Sequence, residues 1–272
     1  MARGSGSERW SPGLPQIRNF SGPMQAVGGL FAMSADAVKY VFRRPFQWRE
    51  FLEQSWFVAR VSLAPTLLVA IPFTVLVSFT LNILLRELGA ADLSGAGAAF
   101  GAVTQVGPLV TVLIVAGAGA TAMCADLGSR TIREEIDAME VLGVSPLQRL
   151  VVPRVLACMV VAVFLNGLVS VVGVAGGYIF NVVLQDGTPG AYLASFTALA
   201  QLPDLYQGMA KALVFGLIAA IVACYKGMNA GGGPKGVGDA VNESVVVSFM
   251  LLFVVNFVMS AIYFQLVPPK GA

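Results

Sequence analysis

Few residues in this 272-residue chain could do chemistry, and they are clustered. The densest group lies in TIREEIDAMEVLG, residues 131–143, where Glu134, Glu135, Asp137 and Glu140 stand between long, nearly uncharged stretches. There is no histidine, which removes Ser-His-Asp triads and imidazole acid–base schemes. The four carboxylates do not converge on one helix face, so no metal site is expected. Cys124, Cys158 and Cys224 are isolated and lack the regular spacing of a disulfide framework, so they read as small buried side chains. GGGPKGVGD, residues 231–239, shares only its glycines with a phosphate loop. It lacks the G-x-x-x-x-G-K-[ST] order, so this chain is not expected to hold ATP that way. No catalytic residue and no bound cofactor are expected.

The elements that position the acidic segment are hydrophobic. The chain is 57% hydrophobic and 12% charged, with a mean hydropathy of +0.78, whereas soluble domains carry about a quarter charged residues. This composition implies an all-α integral membrane protein. Spanning helices need about 20 mostly apolar residues. Five stretches qualify, at about 61–85, 100–123, 151–184, 208–225 and 241–266, within a membrane domain over 61–266. The first contains Pro65 and Pro72, which are expected to kink it. Residues 24–60 mix aromatic and charged side chains (Phe46, Trp48, Phe51, Leu52 and Trp56 among Arg49, Glu50, Glu53 and Arg60), as interfacial helices do. Residues 1–23 are polar and rich in Gly and Pro, without a signal-peptide core, and read as a disordered cytoplasmic arm.

Lys and Arg set the orientation. Lys39, Arg43, Arg44, Arg49 and Arg60 precede the first span. Arg130, Arg133, Arg149 and Arg154 flank the second connection, and Lys226 and Lys235 the fourth. Connection 185–207 has Asp186 and Asp204 and no basic residue, and 86–99 has only Arg86. The N-terminus is therefore expected in the cytoplasm and the C-terminus outside. Few ionisable groups fall within the spans; Lys211 is expected near the outer end of the fourth, and Asp126 just after the second. That disfavours an ion-coupled secondary transporter and favours an apolar or amphipathic cargo.

The periodicity of 131–143 predicts a short amphipathic helix over about 129–143. Ile132, Ile136 and Met139 form its apolar stripe, with Arg133, Asp137 and Glu140 beside or opposite. Thr131-x-x-Glu134 is a possible capping box, Gly143 a C-terminal stop, and Ser145-Pro146 the start of the next helix. The helix is either a solvated surface element or a docking helix for a cytoplasmic partner with basic side chains. Gly117, Gly119, Gly173 and Gly177 fall at spacings that let helices approach closely, within the bundle or across a dimer interface.

The stretch VGPLVTVLIVAGAGATAMCADLGSRTIREEIDAMEVLGVSPLQRLVVPRVLA, residues 106–157, resembles the signature region of MlaE/YrbE-type permeases. Gly236-Val237-Gly238-Asp239-Ala240 is similar to that family's entry into its last span, and the resemblance covers about 40–266. It implies a permease subunit of an ABC transporter working with MCE proteins, of the kind found as heterodimers in actinobacterial Mce systems. It further implies five spans, a second permease subunit, and a separate cytoplasmic ATPase dimer that carries ATP and Mg. A periplasmic MCE hexamer would receive or deliver the lipid, of fatty acid, mycolic acid, sterol or phospholipid class. The location implied is the bacterial plasma membrane, and nucleic acid has no part. Under this resemblance residues 134–139 belong to the coupling helix. Glu134, Glu135 and Asp137 then face the ATPase beside Arg133, and Ile132, Ile136 and Met139 seat the helix. Thr104, Gln105, Gly107 and Pro108, with Asn256 in the last span, are candidate cavity residues. Thr104-Gln105 stands where many members have Arg-Glu, and Ala118 where they have Arg, so the resemblance points to a less charged cavity here. A non-transporting scaffold for an MCE complex is the alternative; a dry, tightly packed centre would favour it.

Overall fold

The computed structural model describes residues 22–41, 47–90, 93, 95, 97, 100–184, 187–200 and 202–267. The expected arm up to residue 21, together with Arg43, Arg44, Phe46 and Asp186, lies outside the described residues. Helix α1 is Gly22–Val41 and α2 is Trp48–Glu87. Helices α3 (Gly101–Ile132), α4 (Glu135–Val141) and α5 (Leu147–Leu184) follow. The last three are α6 (Pro189–Leu199), α7 (Leu202–Met228) and α8 (Gly233–Leu266). Five of these, α2, α3, α5, α7 and α8, are long and apolar enough to cross a membrane. No strand occurs among the described residues.

Two expectations change. The segment 48–60 is not a separate interfacial helix, because α2 runs unbroken through 40 residues, Pro65 and Pro72 included. At 1.5 Å per residue that is about 60 Å, roughly twice the hydrocarbon thickness. Its first turns therefore project to the membrane face, where Trp48, Leu52 and Trp56 expose an apolar stripe at spacings of four. The connection at 185–207 holds α6, which starts with Pro189 at its first turn. The hydroxyl of Tyr192 in α6 donates to the Val174 carbonyl at 3.2 Å, and its ring meets Tyr178 edge-on.

Spans α2 and α8 bury faces unlike those of soluble helices. On α2 Val58, Ser62, Thr66, Ala70 and Thr74 form a covered stripe of small and hydroxyl side chains repeating every four residues, and Asn82 is buried further along. On α8 they are Ala240, Ser244, Ser248 and Leu252, at the same repeat. Leu68, Ile71, Leu76, Phe253 and Phe257 face outward. Lipid is as apolar as leucine, so burying leucine gains little there; small residues instead allow backbones to close up and collect dispersion. Thr66 and Thr74 satisfy their hydroxyls by donating to the Ser62 and Ala70 carbonyls of their own helix, at 2.6 and 2.7 Å, whereas the buried Ser62 and Ser248 hydroxyls find no partner among the described residues.

Helices α3 and α7 form the enclosed centre, with α5 against α2 and α7, and α8 against α7 and α3. One core cluster joins Val58, Met123, Leu127, Leu150, Val155, Phe215 and Leu252 with the three free, buried cysteines. A smaller one gathers Ala70, Val106, Val110, Ile114 and Val169. A π-helical turn, Phe100–Val106, leads into α3, which is π-helical again over Val115–Ala120, and α5 is π-helical over Leu147–Val151 and Phe180–Leu184. Such wider turns often mark functional sites.

The four packing glycines divide. A Cβ at Gly119 would stand 3.3 Å from Val58 Cγ1, and one at Gly173 would stand 2.8 Å from the Ala102 Cβ. Gly177 is buried. Gly117 is exposed, with nothing within 4 Å of where its Cβ would sit, so it packs no helix within this chain. Sequence spacing could not show that the π turn at 115–120 rotates it outward. A close backbone crossing lies at Gly216, where a Cβ would lie 2.8 Å from the Met159 Cα and 2.9 Å from the Cys158 carbonyl oxygen. Gly216→Val should cost about 1–3 kcal/mol, read as a lowered thermal unfolding midpoint in detergent. Gly117→Ala should change stability by no more than about 0.5 kcal/mol.

Candidate functional site

The acidic segment is two helices with a break between them. Helix α3 continues to Ile132, and Glu134 then takes a left-handed conformation at φ 59°. Its backbone N–H donates to the Thr131 carbonyl at 3.1 Å, closing a turn. The Thr131 hydroxyl does not cap α4. It donates to the Leu127 carbonyl at 2.9 Å and meets the Gly227 carbonyl of α7 at 3.1 Å. The capping box is therefore absent, and α4 begins only at Glu135. A left-handed turn costs an L-residue about 1–2 kcal/mol, so tertiary contacts must hold it in place. They are made by Ile136, which is 5% exposed, and by Met139, packed half-buried on the main core cluster.

Ile132 is 36% exposed and does not share that seat. The break resets the helical phase, so a stripe counted across residues 132 to 139 has no single face. At the other end Gly143, at φ 74°, donates to the Glu140 carbonyl, and the Val144 N–H donates to the Met139 carbonyl, each at 2.9 Å. These two bonds make a Schellman stop, as the glycine suggested. Beyond the seat, Glu134, Asp137 and Glu140 are exposed, and so are Val141 and Leu142 at 87% and 78%. Glu135 is held inside the chain by Arg133 at 3.2 Å and Arg130 at 3.9 Å.

Further along the bundle, towards its other end, lies a polar niche. Lys211 of α7 is wholly buried, although the sequence placed it merely near a span end. Its ammonium donates to Ser260 Oγ of α8 at 2.8 Å and to the Thr104 carbonyl of α3 at 3.5 Å. Both acceptors are neutral, and no ion pair of Lys211 occurs among the described residues. The Ser260 hydroxyl in turn donates to the Asn256 carbonyl at 2.7 Å. One turn before Lys211, Gln207 is buried with neither end of its amide hydrogen-bonded among the described residues. The same is true of the wholly buried Asn166 of α5. Asn166 fits between two glycine notches: a Cβ at Gly107 would meet its Oδ1 at 3.0 Å, and one at Gly208 its Nδ2 at 3.2 Å. The Asn256 Oδ1 is likewise buried and unpaired. Each unpaired buried amide costs about 1–3 kcal/mol, so the niche is held at the expense of stability.

The structure thus brings Thr104, Gly107 and Asn256 to one place. Pro108 is buried beside Gly107, and Gln105 is half-buried on the same π-helical turn. Sequence reasoning missed Lys211, Asn166 and Gln207. A signal was present, since Gln207-Gly208 and Lys211 share one face of α7. Also missed was Arg154, counted as a cytoplasmic charge but wholly buried in α5. Its Nη2 donates to Asp126 Oδ2 at 2.6 Å.

Five apolar helices, a polar niche inside them and a short seated helix between the second and third define a multi-pass membrane protein of permease type. The chain belongs to the MlaE permease family, whose profile matches residues 51–262. It is 33% identical over 244 residues to a probable ABC transporter permease protein of Synechocystis, covering 89% of this chain and 92% of that one. A probable ABC transporter permease protein of Rickettsia typhi is 35% identical over 161 residues, 59% of this chain and 62% of its own. The chloroplastic protein TRIGALACTOSYLDIACYLGLYCEROL 1 of Arabidopsis thaliana is 28% identical over 259 residues, 94% of this chain and 71% of its own.

The stop of α4 is open to direct measurement. Gly143→Val forces a β-branched residue into the left-handed region and should cost about 1–2 kcal/mol locally. Exchange of the Gly143 and Val144 amides with deuterium should accelerate about ten-fold, with the core amides of α7 unchanged.

Proposed function

We propose that this chain is the permease subunit of an ATP-driven transporter that moves a lipid between the bacterial plasma membrane and an MCE protein tunnel. A second permease subunit completes the membrane part, and a cytoplasmic ATPase dimer with ATP and Mg supplies the energy. The basic residues around α4 and the start of α2 support a cytoplasmic location for that end. The observation that carries the reading is the niche at Lys211. A buried ammonium with only neutral acceptors, beside two unpaired amides, is prepared for a polar headgroup that enters from an apolar phase. Thr104 and Gln105, in place of a charged pair, leave the lysine as the cation of the niche. The headgroup that suits it is anionic, a carboxylate or a phosphate, on an otherwise apolar molecule. Unpaired polar groups between the spans support transport over the scaffold alternative.

The docking face on α4 also differs from the expected one. Glu135 is engaged by Arg130 and Arg133 inside the chain, so Glu134, Asp137 and Glu140 frame the exposed Val141-Leu142 pair. An apolar centre with a charged rim is the anatomy of a protein interface.

Two experiments test these assignments. Lys211→Met should leave the complex assembled and lower the anionic lipid that co-purifies with it, measured by mass spectrometry, by about ten-fold. An unchanged lipid yield would overturn the headgroup site. Val141→Asp combined with Leu142→Asp should cut ATPase co-purification by at least about ten-fold, because truncated hot spots cost 2 kcal/mol or more. Thermal unfolding of the isolated permease should not move, since both side chains are exposed.

A further inference from the structure

The charges at the α4 end form a line. Glu135 of α4 faces Arg130 of α3 at 3.9 Å, and Arg130 faces Asp126 one turn back at 3.3 Å. Asp126 holds Arg154 of α5 at 2.6 Å, and Arg154 faces Glu50 of α2 at 3.8 Å. Five residues of alternating sign thus run across four helices, and each inner member touches two neighbours. The Arg154 guanidinium is further fixed by the Leu150 carbonyl at 3.0 Å. Glu50 is fixed by the Gln54 amide at 2.9 Å. Glu50 lies in the part of α2 that carries Trp48, Leu52 and Trp56 to the membrane face.

A buried ion pair is a poor device for stability, since apolar side chains of the same size usually serve as well or better. Its cost here, at a wholly buried arginine, needs another reason. The distances supply one. The central Arg154–Asp126 pair is tight, whereas the two end links, at 3.8 and 3.9 Å, stand at the outer limit of ion-pair contact. The centre is the tightest link of the line and the two ends are its loosest. We propose that the ion-pair line Glu135–Arg130–Asp126–Arg154–Glu50 carries a displacement of α4 to the membrane-face segment of α2. Arg154 is its positioning residue. The proposal rests on the transporter reading, which makes α4 the element that a partner pushes.

The test uses the intact complex reconstituted in vesicles of phosphatidylethanolamine and phosphatidylglycerol. One variant replaces the central pair with neutral groups, Asp126→Asn with Arg154→Met; a second, Glu50→Gln, removes only the far link at a partly exposed site. Both should keep the thermal unfolding midpoint and the rate of ATP hydrolysis. Lipid moved per ATP should fall by at least about five-fold, the lower range of coupling between distant sites. A spin-label pair at the exposed positions Glu53 and Ala138 should change separation on adding a non-hydrolysable nucleotide in the parent, and not in either variant. Unchanged lipid per ATP in Glu50→Gln, which removes no buried group, overturns the linkage even if the doubly substituted chain fails to fold. A parent complex that moves no lipid overturns the transport reading instead. The linkage then stands or falls on whether Glu50→Gln abolishes the nucleotide-dependent change in label separation.

Discussion

A helix surrounded by lipid gains nothing by hiding leucine from a medium as apolar as leucine. Whatever holds five such helices together must come from close backbone approach and from polar groups that find one another. The stripes on α2 and α8 supply the first, with Ser, Thr and Ala at every fourth position turned inward. The Gly216 notch brings α7 against the backbone of α5. Every charged or amide side chain placed between the helices then has to be accommodated in a region with almost no slack. That is why the few that occur there are informative.

Apart from Asn82 of α2 and Asn181 of α5, those groups fall into two sets along α5. Arg154 belongs to the end that carries α4, and Asn166 lies twelve residues further on, about 18 Å along the axis. The first set is internally compensated, acid against base, and ties four helices together. The second is uncompensated, with an ammonium and three amides whose hydrogen-bonding capacity the chain itself does not use up. One set resists rearrangement and the other is receptive to something polar.

The spans were legible in the sequence because twenty-residue apolar runs are unambiguous. The helical character of the acidic segment was legible from its spacing and its glycine stop. Its break was not. Nothing in Thr131-Ile132-Arg133-Glu134 announces a left-handed residue, since glutamate has no preference for that region, and only tertiary packing of Ile136 imposes it. The exposure of Ile132 followed from that hidden reset. The burial of Lys211 and Arg154 was obscured for another reason. Charges near the ends of apolar runs are read as loop charges, and a window average dilutes one lysine among seventeen neighbours. The inward stripes of Ser and Thr were visible at period four, but a search for apolar faces looks at the wrong side of a membrane helix.

The length of α2 has a consequence for the surrounding bilayer. A helix about 60 Å long, with two tryptophans exposed at one end, cannot stand upright in a 30 Å film with both ends comfortable. Its tilt is set by where the aromatic end settles among the headgroups and by where the apolar portion stops. Local film thickness and lipid composition therefore become mechanical inputs to the protein. The membrane itself then sets the resting angle of this helix.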